Sequence, residues 1–282
     1  MKTLKQFAFV AFTALAVAFT VSSCSQNQNV NKSAEGQDET VHATYVLVHG
    51  GWCASWCWDF NKPALEAAGH TVKTFDLPGH GDNKSVDLTK VTLADHVNAL
   101  QDFISKIDGK VILVAHSMTG MVIAQVAENI PEKIEKLVFF AAFLPKDGDV
   151  MMNFLMSDPW SQVGPLTTVV KENGLATFNP TYARNLGFNT TPDDKFLYAL
   201  QYLQDENPTM WGEPVHLSDR YMNVPKVYIH TLKDNCCSYF LQRQMVKTVP
   251  CVKEYYLDTD HVGMLSDPES TNAILLDIPN IM

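Results

Sequence analysis

Short apolar runs alternate with segments of helical spacing along most of the chain. Residues 111–115 form the clearest run, which is apolar at every position and therefore fits a strand buried on both faces. Apolar residues then recur at helical spacing as far as Asn129, and Pro131 ends that segment. Ser117 lies between the two patterns. We therefore predict a strand that turns sharply into a helix at this serine.

The same alternation continues along the rest of the chain. Five further segments are predicted to be strands: residues 44–48, 71–75, 137–142, 226–230 and 252–257. Strands that alternate with helices pair in parallel through right-handed crossovers. The sequence therefore predicts an α/β fold with a mostly parallel, doubly wound sheet of about six strands.

The alternation lapses between about residues 145 and 223. This segment is rich in aromatic residues and methionines, contains scattered prolines and glycines, and is too long to be a single loop. We predict an inserted, mainly helical cap here. Trp160, Phe188 and Trp211 are its candidates for a substrate pocket, while packing of the cap against the sheet is the simpler role for any one of them.

The first residues have the pattern of a bacterial export signal. Lys2 and Lys5 precede an apolar stretch, residues 7–19, that is too short to span a bilayer. Small residues at 21–23 then precede Cys24, as in a lipobox whose cysteine receives a lipid. An ordinary signal peptide that ends near a cysteine is the alternative. We predict lipidation of Cys24.

These features divide the chain into three parts. We predict a signal peptide over residues 1–23, a disordered polar tether over 24–42 and a folded domain over 43–282, in an exported lipoprotein anchored on the periplasmic or cell-surface face of a membrane. A composition of 46% hydrophobic and 18% charged residues is that of a globular domain. The formal net charge of -10 argues against a nucleic-acid partner.

The cysteines leave the redox chemistry open. An exported location permits disulfides, and the odd number of cysteines that follow the lipidated Cys24 leaves at least one thiol unpaired. Their spacings do not match a zinc site, so we expect no metal ion and no cofactor. The five cysteines of the predicted domain, whose pairing stays open, are Cys53, Cys57, Cys236, Cys237 and Cys251.

Three side chains with catalytic potential follow the predicted strands. Ser117, Asp234 and His261 each come just past the carboxyl end of a strand, where ligands bind in parallel sheets. Serine is a weak nucleophile and needs His261 to accept its proton, and the imidazole needs the Asp234 carboxylate to hold its tautomer. We predict a catalytic triad in the chain order serine, acid, histidine.

Two backbone N–H groups are candidates for an oxyanion hole. Gly51 follows the first strand, and Met118 begins the helix after Ser117. Each such donor is worth about 2.7–4 kcal/mol in comparable enzymes. The serine motif departs from G-x-S-x-G, because Ala115 and Thr119 take the glycine positions and Gly120 comes one place later. Alone, it also fits a serine that caps a strand–helix junction.

The remaining acids and histidines are weaker candidates. Asp258 and Asp260 are too close in sequence to His261 to reach its Nδ1 easily. We expect a structural role for His116 beside the nucleophile, and we expect His49 to organise the glycine loop. Other histidines, His42, His70, His80, His96 and His216, are interpreted as surface or loop residues.

The motifs resemble the α/β-hydrolase superfamily, and more closely its methylesterase and hydroxynitrile lyase branch. The similarity covers residues 44–278 and is weakest in the cap. It implies an α/β-hydrolase fold and hydrolytic chemistry at Ser117. The motifs that carry it are residues 46–52, 76–81, 115–120, 228–244 and 260–268.

Within this branch, the resemblance favours hydrolysis over lyase chemistry. Lyases carry a lysine directly after the catalytic histidine and a threonine after the histidine of the first loop, and here these places hold Val262 and Gly50. We therefore expect a serine carboxylesterase that acts on a small-molecule ester. The alternatives are a lactonase or perhydrolase with the same triad, and a catalytically idle, ligand-binding lipoprotein.

Overall fold

The computed structural model describes residues 41–164 and 168–282. The predicted signal peptide, Cys24 and nearly all of the predicted tether lie outside these residues, so those assignments stay predictions. Among the described residues, none of the helices has the length and apolar character needed to cross a bilayer.

In chain order the strands of the described residues are β1 Thr44–Val48, β2 Thr71–Phe75, β3 Val111–His116, β4 Ile134–Phe140, β5 Thr168–Val170, β6 Ala176–Phe178, β7 Lys226–Thr231 and β8 Lys253–Leu257. Six of them form one parallel sheet, in the order β2-β1-β3-β4-β7-β8. This confirms the predicted sheet. Strand β4 starts at Ile134, earlier than predicted, and the sequence hides this start because the charged residues Glu135 and Lys136 separate Ile134 from the apolar run that begins at Leu137.

Helices cover the sheet on both faces. The α-helices of the described residues are α1 Lys62–Ala67, α2 Leu93–Ser105, α3 Thr119–Asn129, α4 Met151–Ser157, α5 Pro180–Gly187, α6 Asp193–Tyr202, α7 Asp219–Met222, α8 Tyr239–Thr248, α9 Gly263–Ser266 and α10 Pro268–Asp277. Short 3-10 helices occupy Ser55–Trp58, Gly81–Asn83, Leu88–Lys90, Pro131–Lys133, Pro208–Gly212 and Ile278–Asn280.

The central strands are apolar over most of their length because both of their faces are buried. Val114 is paired with Leu47 of β1 and with Val138 of β4, and all three side chains belong to one core. Leu113, its neighbour in β3, points to the core on the opposite face. Such double burial removes the alternation of polar and apolar residues that marks a half-exposed strand.

The chain leaves the sheet after β4 and returns at β7, and the excursion forms the cap. It holds the four helices α4 to α7, as the prediction of a mainly helical insertion requires. It also holds an antiparallel hairpin of β5 and β6, in which Thr168 pairs with Phe178. No pattern of residues predicts this hairpin, because strands of three residues are too short to show a period of two.

Candidate active site

A strained turn carries Ser117 between β3 and α3. Its φ of 58° lies in the left-handed region, which non-glycine residues seldom adopt. The Ser117 N–H donates to the Phe140 carbonyl (3.2 Å), and the Ser117 carbonyl accepts from Phe143 N–H (3.1 Å). The segment at the end of β4 therefore holds the turn from both sides, which is how such strain persists.

The structure explains why the second motif glycine is displaced. Thr119 is buried, and its hydroxyl donates to the His116 carbonyl at 2.7 Å, so its side chain has a place within the turn. The closest backbone approach is at Gly120 instead, where an added Cβ would lie 2.0 Å from the Phe143 carbonyl oxygen. The elbow therefore needs a glycine at 120, and it tolerates threonine at 119.

The three predicted catalytic side chains form one hydrogen-bonded line. His261 Nε2 lies 2.8 Å from Ser117 Oγ, and His261 Nδ1 lies 2.7 Å from Asp234 Oδ2. Each residue follows the carboxyl end of a different strand, β3, β7 or β8, so the parallel sheet brings them to one edge. Both side chains of the His261–Asp234 pair are almost completely buried.

Further contacts fix the Asp234 carboxylate. Its Oδ1 accepts from the N–H groups of Cys236 (2.7 Å) and Cys237 (2.9 Å). Its Oδ2 accepts from Thr231 Oγ1 (2.8 Å) and from Gln242 Nε2 (3.2 Å). With each oxygen held by two of these donors, the carboxylate has one orientation towards the imidazole.

Neither neighbouring acid competes for His261 Nδ1. Asp258 is exposed and accepts from Lys233 Nζ at 2.7 Å. Asp260 is buried and turns towards the cap, where it accepts from Thr190 N–H (2.7 Å) and Thr191 Oγ1 (2.8 Å). Asp260 therefore ties the loop of the catalytic histidine to the cap.

The two candidate oxyanion donors are neighbours in space. A Cβ added at Gly51 would lie 3.3 Å from Met118 Sδ. Within the described residues, the backbone N–H groups of Gly51 and Met118 donate to no other group. A Cβ at Gly50 would lie 2.9 Å from Ser117 Cβ, so this loop packs directly against the elbow because it lacks side chains. Both N–H groups are thus available to a bound substrate.

Two buried histidines support this arrangement without joining it. His116 donates from Nε2 to the His261 carbonyl at 2.8 Å, and burial holds the pKa of His116 well below its usual range. His49 donates from Nδ1 to the Gly50 carbonyl (2.8 Å) and accepts from Leu77 N–H (3.1 Å). Burial, together with the nearby His80, lowers the pKa of His49 to about 3. Both imidazoles are therefore neutral structural groups.

The interpretation of His80 and His96 as surface or loop residues is wrong in one respect, since both side chains are fully buried. His80 Nε2 lies 3.1 Å from Oε2 of Glu206, which is also fully buried. Burial is the largest influence on His80 and lowers its pKa. The charge of Glu206, the hydrogen bonds to Glu206 and to the Pro78 carbonyl, and the charge of Asp76 together outweigh burial, so the pKa ends above its usual value. Sequence reasoning missed the pair because Glu206 lies in the cap, far along the chain.

With this geometry established, comparison with known proteins assigns the family. Residues 45–274 match the Alpha/beta hydrolase family. The chain belongs to this family. Methylesterase 7 of Arabidopsis thaliana is 34% identical over 256 residues, which cover 86% of this chain and 98% of that protein. Methylesterase 9 of the same plant is 33% identical over 251 residues, covering 83% and 97%.

A similar solved structure supports the same family. Polyneuridine aldehyde esterase superposes with a TM-score of 0.75 at 26% sequence identity, covering 84% of this chain and 99% of that one. Among bacterial proteins, a pyrethroid hydrolase of Sphingobium wenxiniae is 27% identical and covers 82% of this chain and 86% of its own length. The protein is therefore an ester-hydrolysing enzyme, a carboxylesterase of the α/β-hydrolase family.

Two narrow cavities of this α/β-hydrolase meet at Ser117 and His261. Trp211 lines one and Phe188 lines the other, so the structure places both predicted cap residues beside the nucleophile. Trp160 lines neither cavity, and 68% of its surface is exposed, so its assignment to the pocket is corrected. The turn after α4, where Trp160 N–H donates to Asp158, leaves the indole outside.

One group of side chains at this hydrolase site has atoms that could ligate a metal ion. Among the described residues, Asp234, Cys236 and His261 are the group that brings three potential metal ligands within 4.8 Å of one another. Two of the three are the hydrogen-bonded pair of the triad, so a metal ion here would compete with the Asp234–His261 hydrogen bond. The five cysteines of the domain are unpaired thiols in the structure.

Proposed function

We propose that the protein hydrolyses a small carboxylic ester through an acyl-enzyme on Ser117. The observation that carries this proposal is the line from Ser117 Oγ through His261 to Asp234, with contacts of 2.8 and 2.7 Å. The esterase relatives support the same class of substrate.

In the first half-reaction, Ser117 Oγ attacks the ester carbonyl carbon while His261 Nε2 takes the hydroxyl proton. The imidazolium is stabilised by the Asp234 carboxylate, which keeps its own charge. The carbonyl oxygen becomes an oxyanion that accepts from the N–H groups of Gly51 and Met118. When the tetrahedral intermediate collapses, the bond to the alcohol oxygen breaks and His261 returns the proton to that oxygen. The alcohol leaves, and the acyl group stays on Ser117.

In the second half-reaction, water takes the place of the alcohol. His261 accepts a proton from this water as its oxygen attacks the acyl carbon, and the same two N–H groups receive the oxyanion. Collapse breaks the bond to Ser117 Oγ, and the proton on His261 returns to it. The products are a carboxylic acid and the free enzyme.

The cavities favour an ester with at least one apolar part. A larger cavity of about 520 Å³ opens beside the narrow cavities at the nucleophile and is lined mostly by apolar side chains. It shares Leu155, Val163 and Trp211 with one of the cavities at Ser117. This volume is within the usual range for small-molecule sites. Together with the methylesterase relatives, it supports a methyl or other small-alcohol ester of an apolar acid.

The test is a covalent probe combined with turnover. A fluorophosphonate should label Ser117 of the wild type, and Ser117→Ala should lose both labelling and hydrolysis of short p-nitrophenyl esters. Ser157→Ala is the matched control, because the hydroxyl of this exposed cap serine donates, among the residues that the structure describes, only to the Phe154 carbonyl. Unchanged hydrolysis in Ser117→Ala would refute the mechanism. A folded wild type inert towards both probe and esters would instead favour the ligand-binding alternative, and faster turnover of lactones would favour a lactonase.

We also propose that the protein is exported and anchored to a membrane through a lipid on Cys24. The lipobox-like sequence before this cysteine supports the proposal. It is independent of the catalytic proposal and has a separate test among the predictions below.

A further inference from the structure

The loop that carries the Gly51 N–H is attached to the cap at the next residue. Trp52 N–H donates to Glu206 Oε2 (3.4 Å), and the Trp52 carbonyl accepts from Gln204 N–H (3.0 Å). The Trp52 indole N–H donates to the Ala176 carbonyl at 3.1 Å. Cap residues therefore bind the backbone and the side chain of Trp52 at three points.

This attachment matters because Trp52 is held in an unfavourable conformation. Its φ is 60°, in the left-handed region, and such a residue persists only when its surroundings over-determine it. The cap segments that hold it are themselves joined, because Ala176 and Glu206 exchange backbone hydrogen bonds of 2.7 and 2.8 Å. The turn that orients the Gly51 N–H thus depends on contacts from the cap.

Glu206 is the charged member of this set. Its side chain is fully buried, and its Oε2 would lie only 3.6 Å from a Cβ added at Gly51. The other oxygen, Oε1, accepts from Asn207 N–H at 2.9 Å, while His80 binds Oε2 at 3.1 Å. Burial raises the pKa of Glu206, but the charge and hydrogen bond of His80, the charge of His96 and the Asn207 N–H together outweigh burial, so the pKa ends below its usual value. A buried carboxylate held this way has one position.

We propose that Glu206 is a positioning residue that fixes the loop of residues 50–52, and with it the Gly51 N–H, in the geometry that binds the oxyanion. The proposal rests on the acyl-enzyme mechanism above. The cap then does more than cover the substrate, because a carboxylate from the cap completes the alignment of a donor that belongs to the sheet. His80 holds that carboxylate in place.

The test is Glu206→Gln, in which an NH₂ group replaces one carboxylate oxygen. Whichever way the amide turns, it sets a donor against the N–H of Trp52 or of Asn207. Complete removal of an oxyanion donor lowers kcat by about 10²–10³-fold. For a displaced donor we expect a loss of about 10- to 100-fold in kcat, with KM within about threefold of the wild type.

Asp158→Asn is the matched control. Asp158 is another buried carboxylate of the cap, and it also accepts from two backbone N–H groups, those of Trp160 (3.1 Å) and Ser238 (2.8 Å). It does not contact residues 50–52. We expect its kcat to stay within about threefold of the wild type, even if its melting temperature falls as far as that of Glu206→Gln.

A trifluoromethyl ketone separates positioning from general damage. Ser117 Oγ adds to its carbonyl, His261 takes the hydroxyl proton, and the resulting oxyanion occupies the oxyanion hole. In Glu206→Gln the inhibition constant should rise by the factor by which kcat/KM falls, while inhibition by the carboxylic acid product should not change. An unchanged ketone constant, or a kcat loss no larger than that of Asp158→Asn, would overturn the proposal.

Two further measurements test the proposal if Glu206→Gln does not fold. His80→Gln/Glu206→Gln removes both buried charges together, so it leaves no unpaired ion, and it should show the same loss of kcat. In the wild type, the Trp52 N–H donates to the cap and the Gln204 N–H of the cap donates to Trp52, so both amides should exchange hydrogen with the same opening free energy. Different opening free energies for the two amides would refute the attachment of the loop to the cap. Failure of the fluorophosphonate to label Ser117 in the wild type would count against the mechanism alone, since hydrogen exchange does not depend on it.

Discussion

Asp234→Asn provides the sharpest test of the triad, because the structure dictates how the new amide must sit. Asp234 Oδ1 accepts from two backbone N–H groups, those of Cys236 and Cys237, at 2.7 and 2.9 Å. The asparagine keeps its oxygen there, because backbone N–H groups cannot turn away, whereas at Oδ2 the Thr231 hydroxyl can rotate to accept and the Gln242 contact is the longest of the set at 3.2 Å. Its NH₂ group therefore replaces Oδ2 and donates to His261 Nδ1, which lies 2.7 Å from Oδ2 in the wild type.

This hydrogen bond selects the wrong tautomer of the imidazole. With Nδ1 as an acceptor, the proton of His261 resides on Nε2, which can then no longer accept the proton of Ser117. In a serine protease the same exchange lowers kcat by about 10⁴-fold. That factor corresponds to about 5.4 kcal/mol of transition-state stabilisation, and we expect a loss of this order here.

The assay is hydrolysis of a p-nitrophenyl ester at pH 7, with thermal unfolding measured in parallel. Asp258→Asn is the control, because this exposed acid pairs only with Lys233 and should retain activity within about twofold. A loss of less than tenfold in a folded Asp234→Asn protein would refute the tautomer argument. A neutron or high-resolution structure with Nδ1 protonated in the variant would do the same.

Three other changes have defined outcomes. Gly120→Ala places a methyl group 2.0 Å from a backbone carbonyl oxygen and should prevent folding or abolish phosphonate labelling, as measured by circular dichroism and by the probe. Lowering the pH below 6.5 should reduce the free energy of unfolding, measured in urea, by about 1.4 kcal/mol per pH unit for each of His49 and His96. Burial is the main cause that lowers the pKa of His49 to about 3 and that of His96 to about 4 in the folded state, so both imidazoles take up protons on unfolding below pH 6.5. Equal free energies of unfolding at pH 7 and pH 5 would contradict this prediction. Cys24→Ser should release the protein from membranes or block its processing, and unchanged membrane partitioning after washing would exclude the lipid anchor.

The sheet was predictable because its signal is local. Apolar runs such as residues 111–115 follow from burial on both faces, and each run is visible within a few residues of sequence. The positions of Ser117, Asp234 and His261 follow from the same pattern, because the carboxyl ends of parallel strands meet at one edge. Chain order and strand ends were therefore sufficient to place the three side chains together.

The burial of individual cap and loop residues could not be predicted, because it depends on contacts between distant parts of the chain. Trp160 and Trp211 are both tryptophans of the cap, yet Trp160 is exposed and Trp211 lines one of the cavities at Ser117. The burial of His80 is decided by Glu206, which lies 126 positions further on. Local composition cannot distinguish these cases, because the cap is not paired with the central sheet, which would otherwise fix the register of its residues.

The cap leaves and rejoins the sheet only once within the described residues, between β4 and β7, which suggests that it could be exchanged for the cap of a related esterase. Glu206, and the threonines that bind Asp260, set a condition on such a chimera. A transplanted cap that lacks these contacts would bring a new substrate pocket to a weakened catalytic centre. Grafts that carry residues 190–191 and 204–206 with them should retain turnover, so in this fold specificity and rate cannot be engineered as separate modules.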